Sequence, residues 1–276
     1  MKTSMKISII MILLVFLLTG CNKQAKTPGE IINEEDSFSV ITEEVLNIPR
    51  IDDNFRIMQG GCVSDKYAWF LIVSAENYKN DLKKETIILQ FDRETMQEVA
   101  RSEKLKLGHA NDMVYVEESN ALYVSQAFQN KVTIIDADTL TEKDVKRLVI
   151  GQGAIDYDAS RDCFVTSMGK CDVVYWNEEF KTVGSAKAPV ETTLVTQGIC
   201  ADDHYIYHVL YSTKSNEEEP DHIILVVDWD GNFITKIPIG LKEVEPENIS
   251  IVGDTFYIGC NDGDGGVVYT AKLVKE

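Results

Sequence analysis

Residues 111–125 read NDMVYVEESNALYVS, two β-rich runs separated by the polar turn 117–120. The same pattern recurs four times, each time with a small or polar residue first and an aromatic residue ten to twelve positions later. The other copies are QGGCVSDKYAWFL from Gln59, GAIDYDASRDCFVT from Gly153, QGICADDHYIYHV from Gln197 and ENISIVGDTFYIG from Glu247. Self-similarity at a period of about 40–50 residues is typical of propeller blades.

Four of the copies continue with two more β-rich runs, so the repeating unit is four antiparallel strands. The fifth copy ends after its third strand, whereas the unassigned run Phe38–Ile48 precedes the first copy. Pairing that run with the last unit would cover an edge that otherwise invites aggregation. The sequence therefore predicts an all-β fold, a five-bladed β-propeller of four-stranded antiparallel blades, closed by an N-terminal strand in the last blade.

The N-terminus carries an export signal. Lys2 and Lys6 precede the apolar run Ile7–Leu18, which is shorter than the roughly 20 residues of a membrane-spanning helix. The run ends in Leu18-Thr19-Gly20-Cys21, which resembles the bacterial lipoprotein signal. In that family the cysteine is lipidated after cleavage, so the resemblance implies an extracytoplasmic lipoprotein anchored to a membrane of the bacterial cell envelope through Cys21. An ordinary signal peptide with a chance cysteine, or a membrane anchor helix, is the alternative.

The chain divides into a signal peptide (1–20), a flexible tether (21–37) and the propeller (38–276). The chain has 276 residues and a formal charge of −18. Its hydrophobic content of 44% excludes a disordered or low-complexity protein. An acidic surface repels phosphate backbones, so nucleic acid is not an expected partner.

Cysteine and catalytic patterns exclude several further classes. Five cysteines remain beside Cys21, an odd number with wide spacing, which predicts buried free thiols rather than a disulfide scaffold or a zinc site. The sequence contains no GxSxG, HExxH, GxGxxG or P-loop motif.

The candidate binding site is the end of the channel where the first strand of each repeat begins. In a propeller these strands line the channel, so the residues at their starts should surround one mouth. The candidates are Gln59, His109, Asn111, Asp112, Asp156, Gln197, Glu247 and Asn248. Two long loops, near 74–85 and 212–222, should lie over the same mouth, and such loops are often functional. The alternative is that these polar residues only cap tight turns.

The turn Asn261–Gly266 reads NDGDGG and resembles the first half of a calcium loop. Glu247, Asp262 and Asp264 are therefore candidate ligands for calcium. The turn lacks the distal glutamate of the complete loop, and Asp-Gly pairs are common in hairpins, so a turn without metal is the alternative.

The segment Gly108–Met113 (GHANDM), with the QG and PEN starts of other repeats, resembles five-bladed propellers of teichoic-acid-associated and phage receptor-binding proteins. That resemblance implies a role in binding a cell-envelope glycan or protein. Gluconolactonase-like propellers are a second resemblance, because Asn111-Asp112 and Glu247 match in kind the residues that hold a divalent metal there. That family has six blades, and its remaining ligands have no match here.

Two functions follow. The first is a membrane-anchored propeller that binds a glycan or protein partner at the mouth without catalysis, which the sequence favours. The alternative is a divalent-metal-dependent hydrolase, lactonase or lyase, in which a cation at the mouth polarises a substrate oxygen or activates water.

Overall fold

The structure is a computed structural model that describes residues 26–75, 83–149, 153–169, 171–190, 194–212 and 222–276. The predicted signal peptide and Cys21 lie outside the described residues, as do the central parts of the two long loops. In the described part of the chain, no helix is long and apolar enough to cross a membrane.

One short helix, α1 (Pro28–Ile31), precedes the strands in the described residues. The strands in chain order are β1 (Phe38–Pro49), β2 (Phe55–Val63), β3 (Tyr67–Ser74), β4 (Thr86–Asp92), β5 (Glu98–Arg101), β6 (Ala110–Val116), β7 (Ala121–Gln126), β8 (Lys131–Asp136), β9 (Glu142–Arg147), β10 (Ile155–Asp158), β11 (Cys163–Met168), β12 (Asp172–Trp176), β13 (Thr182–Ala186), β14 (Val195–Ala201), β15 (Tyr205–Tyr211), β16 (Ile223–Asp228), β17 (Phe233–Pro238), β18 (Glu245–Val252), β19 (Thr255–Asn261) and β20 (Gly265–Lys275).

Consecutive strands form four-stranded antiparallel units. Strands β6–β9, β10–β13 and β14–β17 are separate sheets, and the remaining strands form one eight-stranded sheet. The two parts of this larger sheet, β2–β5 and β18–β20 with β1, meet at a parallel bridge between Ile57 and Gly265. The prediction of an all-β, propeller-like fold is therefore confirmed.

The first and last strands of the domain pair with each other. β1 lies antiparallel to β20 from Phe38 opposite Lys275 to Pro49 opposite Gly265. Gly265 has φ +154° and no room for a Cβ, because the carbonyl oxygen of Ile48 occupies that position. A glycine is therefore required at this position, where β1, β2 and β20 meet.

Aromatic side chains fill the space between neighbouring units. Trp69 is 1% exposed and packs in one cluster with Met113 and Leu122 of the next unit. Tyr207 is fully buried and packs with Phe256 of the last unit. The predicted aromatic set is Trp69, Tyr123, Phe164, Tyr207 and Tyr257, of which Tyr123 alone is half-buried. These residues bury apolar area between sheets, as expected for large β-formers.

The cysteines of the described residues are buried free thiols, as their spacing predicted. They are Cys62, Cys163, Cys171, Cys200 and Cys260. Burial raises the pKa of the thiols of Cys62 and Cys200, and nearby aspartates raise it further. These thiols are therefore protonated and act as small apolar side chains.

Residues 26–37 differ from the predicted flexible tether, because they pack against the sheets. The backbone N–H of Gly29 donates to Oδ2 of Asp202 at 2.8 Å, in the turn between β14 and β15. Ile32 is 6% exposed within the core cluster of the last two units. Burial of the apolar side chain of Ile32 favours this docking. The segment is otherwise mostly polar, which is why its sequence did not predict the docking.

Replacing Phe164 by alanine should lower the free energy of unfolding by about 3–5 kcal/mol. Phe164 is 1% exposed, and its ring centroid lies 4.7 Å from that of Tyr123 in the neighbouring unit, so truncation leaves a cavity between two units. Urea unfolding followed by circular dichroism measures the change. The control is Phe128→Ala, at a ring 77% exposed, where the loss should stay below about 1 kcal/mol. Equal losses in the two variants would contradict this packing.

Candidate functional site

The first strands of the four-stranded units lie side by side and run in the same direction. We call β2, β6, β10, β14 and β18 the leading strands. In the middle of β2 and near the start of β18, Nε2 of Gln59 donates to Oε1 of Glu247 at 3.0 Å. Near their ends, the backbone N–H of Val63 donates to Oγ of Ser250 at 3.3 Å. The starts of the repeats therefore gather at one end of the bundle of leading strands, which we call the mouth.

Side-chain amides and carboxylates connect the leading strands at the mouth. Besides the Gln59–Glu247 hydrogen bond, Nε2 of Gln197 donates to Oε1 of Glu245 at 2.9 Å. Nδ2 of Asn111 lies 3.5 Å from the carbonyl oxygen of Gln197, its hydrogen-bond acceptor. The structure thus brings four of the repeat-starting residues together, and it adds Glu245, which the sequence patterns did not single out.

Glu247 is the most strongly perturbed carboxyl group of the mouth. It is 4% exposed, and burial raises its pKa well above the usual range. The negative charges of Glu245 and Asp112 raise the pKa further, whereas hydrogen bonds to Gln59 and Asn261 lower it in part. A raised pKa favours the protonated form of this carboxyl group, which suits hydrogen-bond donation to a ligand or acid–base chemistry.

Asp112 and Asp156 lie deeper, where they link neighbouring units. Asp112 is 1% exposed, and its Oδ2 accepts a hydrogen bond from the backbone N–H of Ile155 at 3.2 Å. Oδ2 of Asp156 accepts from the backbone N–H of Ala201 at 2.7 Å. Burial raises the pKa of both groups, that of Asp156 to about 7. These contacts hold leading strands together below the mouth.

Asn248 is fully buried and contacts Gly259, next to Met58. Neither its amide nitrogen nor its oxygen has a hydrogen-bond partner among the residues that the structure describes. Its side chain lies inside the interface between the last and first units, so it does not join the polar network of the mouth.

His109 lies half-buried at the edge of the mouth. Its ring meets that of Phe128 edge-on at 5.7 Å between centroids. Phe128 is 77% exposed and has φ 64°, an unusual backbone conformation for an aromatic residue. No repeat pattern indicated this exposed ring, because Phe128 belongs to the turn between β7 and β8.

The NDGDGG turn is held by arginines and by its own backbone. Nη1 of Arg50 is 3.4 Å from Oδ1 of Asp264, and Nη1 of Arg56 donates to the carbonyl oxygen of Gly263 at 2.8 Å. Asp262 accepts from the backbone N–H of Asp264 at 2.9 Å. Among the described residues, no group of three or more His, Cys, Asp or Glu side chains is placed to hold a metal ion. Calcium binding by Glu247, Asp262 and Asp264 stays a prediction.

Comparisons with known proteins show the fold. No protein-family model and no curated protein matches this sequence. A structure of Myxococcus xanthus glutaminyl cyclase, at 13% identity, covers 87% of this chain and 100% of its own with a TM-score of 0.59. A protein of unknown function from Bacteroides caccae matches at 11% identity, 67% and 68% coverage and TM-score 0.48. Hydrazine synthase of Kuenenia stuttgartiensis is 10% identical, and the match covers 78% of this chain and 59% of the other with a TM-score of 0.44. The likeness to the cyclase establishes a shared propeller-like fold.

Replacing Glu247 by glutamine should stabilise the protein above neutral pH. Folding raises the pKa of this carboxyl group above 4.5, its ordinary value in an unfolded chain. The free energy of unfolding therefore falls as the pH rises from 4.5 through the pKa of the folded state. The variant removes this cost, so at pH 8 it should unfold with a free energy about 1 kcal/mol or more above that of the wild type.

At pH 4 the difference should shrink, since Glu247 is then protonated in the folded state. Urea unfolding at the two pH values measures it, with Glu142→Gln on the exposed surface of β9 as the control. A Glu247→Gln protein that is less stable than the wild type at pH 8 would contradict this prediction. It would show that the ionised carboxylate of Glu247 stabilises the folded state.

Proposed function

We propose that this chain is a membrane-anchored extracytoplasmic propeller of five blades that binds a cell-envelope glycan or protein partner at the mouth. The observation that carries the proposal is the network of amides and carboxyl groups that joins leading strands far apart in sequence. Convergent polar groups of this kind are typical of ligand-binding sites.

Five blades and a closed ring are supported by the packing of the first unit on the last. β18 contacts β2 directly, through Gln59–Glu247 at the mouth and Val63–Ser250 at the other end. With β1 as its outermost strand, the last unit has four strands like the others. A closed ring would also leave no leading strand with an uncovered face.

The chemistry of the mouth favours neutral or basic ligands. Gln59 and Gln197 supply amide groups, and Glu245 and Glu247 supply carboxyl groups, which suit the hydroxyls and amides of a glycan or the side chains of a basic protein. The exposed ring of Phe128 at the edge offers an apolar face for a sugar ring or a partner side chain. The formal charge of −18 opposes polyanionic ligands.

A lipid on Cys21 would direct the mouth away from the membrane. Gly29 docks on the turn between β14 and β15, at the end of the leading strands opposite the mouth. The five residues 22–26 separate Cys21 from the docked segment and span at most about 20 Å. The mouth would then face the cell wall or other surroundings, where a partner is accessible.

Binding at the mouth is tested by titrating the mature chain with peptidoglycan fragments, neutral oligosaccharides and teichoic acid in calorimetry. We expect one ligand class to bind, and Glu247→Gln and Asn111→Ala to weaken binding at least about tenfold, since each removes a group from the network. Asp144→Asn, on the outer strand β9, is the control and should bind normally. A ligand bound equally well by the mouth variants would contradict this location.

An enzyme is the second candidate, and the raised pKa of Glu247 favours it. Carboxyl and amide oxygens of Glu245, Glu247 and Asn261 are donors of the kind that calcium prefers, so a divalent metal could support a hydrolase, lactonase or lyase there. Metal analysis and thermal shift with Ca²⁺ test this, with turnover of esters, lactones, glycosides and N-terminal glutaminyl peptides, the last because glutaminyl cyclase shares the fold. No metal and no turnover would refute the enzyme proposal.

Lipidation at Cys21 is tested by expressing the full chain in a bacterium and labelling with an alkyne fatty acid. The wild type should be labelled and should sediment with membranes. Cys21→Ser should lose the label and accumulate as precursor, because the thiol is the acceptor of the lipid. Cys163→Ser, at a thiol buried in β11, serves as the control and should retain the label. Label on Cys21→Ser would contradict the assignment.

A further inference from the structure

A second concave site lies at the end of the leading strands opposite the mouth. It has a volume of about 460 Å³, within the range of small-molecule pockets. Each leading strand contributes a residue toward its C-terminal end; these residues are Cys62, Val114, Tyr157, Cys200 and Ser250. We call this the hairpin pocket, because the turns that follow the leading strands form its rim. It is separate from the polar network of the mouth.

The hairpin pocket combines aromatic walls with acidic groups. Tyr67, Tyr115 and Tyr157 line it, and Asp156 is at its inner end. The carboxyl groups of the lining are Asp65, Glu117, Glu118, Asp138 and Asp156. Lys66 is the basic residue of the described lining. Aromatic faces and carboxylates together favour organic cations and disfavour anions.

Two contacts in the hairpin pocket indicate which chemical groups of a ligand it would bind. The ammonium group of Lys66 lies 4.8 Å from the ring centroid of Tyr67 at the rim, so an aromatic side chain of this pocket already holds a cation of the protein itself. The buried indole of Trp69 stacks on Tyr115 at 4.9 Å, and its N–H has no acceptor among the described residues. An unsatisfied buried donor is costly, and a ligand with an acceptor beside its cation would relieve that cost.

We propose that the hairpin pocket binds a primary alkylammonium group, supplied by the lysine side chain of a peptide or by a free amine. The ammonium group would pair with Asp156 between the tyrosine rings, and a carbonyl group of the ligand would accept from Trp69. Soft metal ions are a poorer match, because the neighbouring thiols of Cys62 and Cys200 are protonated.

Binding should depend on pH through Asp156. Burial raises the pKa of Asp156 to about 7, whereas an alkylammonium group stays charged up to about pH 10. Affinity should therefore rise about tenfold between pH 6 and pH 8 as the carboxyl group ionises. Other titratable groups that face Asp156 or line the same pocket are Cys62, Asp65, Lys66, Tyr67, Asp112, Tyr115, Glu117, Glu118, Asp138, Tyr157, Asp158 and Cys200.

Calorimetry on the full chain in detergent tests the proposal with three probes: pentylammonium, Nα-acetyl-lysine methylamide and, as the uncharged control, 1-pentanol. Both amines should bind with dissociation constants of about 1 mM or below, and pentanol at least tenfold more weakly. Tighter binding of the lysine derivative would identify a peptide as the source of the group. Tighter binding of pentylammonium would identify a free amine, and both rankings support the pocket chemistry.

Asp156→Asn should weaken both amines at least tenfold and remove the pH dependence, because the amide retains an acceptor for the N–H of Ala201 but carries no charge. Asp144→Asn, outside the pocket, is the matched control. The proposal is overturned if neither amine binds below 10 mM, if pentanol binds as tightly, or if Asp156→Asn binds both amines normally. Should Asp156→Asn fail to fold, the wild-type pH profile and the comparison with pentanol still decide.

Discussion

The structure depends on burying both faces of its strands. Central strands such as β4 and β16 are buried along almost their whole length, with apolar side chains on both faces, so a four-stranded unit alone would expose two largely hydrophobic faces. Each unit must therefore pack face to face with neighbours on both sides. That packing places the leading strands together and gathers the polar residues at their starts into the mouth, although Gln59 and Glu247 are 188 positions apart.

The same constraint creates electrostatic strain along the leading strands. Asp112 and Glu247 are buried and Asp156 is half-buried close to them, and loss of hydration raises the pKa of each. Asp112 and Asp156 are compensated by backbone N–H groups of the adjacent units, which explains a structural role for them. Glu247 is held by side-chain amides instead, at the end of the leading strands where the repeats begin. A buried carboxyl group whose pKa is raised in this way is a common property of functional sites.

The repeat pattern was sufficient to predict the strand order within each unit and the gathering of Gln59, Asn111, Gln197 and Glu247. It also predicted a strand at Phe38–Ile48, which pairs with β20. Glu245 was missed, because it precedes the repeated positions, and Phe128, because turns between strands do not repeat. The hairpin pocket could not be predicted, since its lining residues are ordinary strand and turn residues that only the arrangement of the units brings together. Docking of residues 26–37 was hidden by their polar composition.

The central claim is that convergence of the leading strands buries Glu247 at the mouth. Carboxyl ¹³C NMR measures this directly, with the resonance of Glu247 assigned from its absence in the Glu247→Gln protein. We expect Glu247 to titrate well above 4.5, the ordinary value for a glutamate, because burial and the neighbouring charges of Glu245 and Asp112 oppose its ionisation. Titration at or below 4.5 would place Glu247 in water and would contradict this account of the mouth.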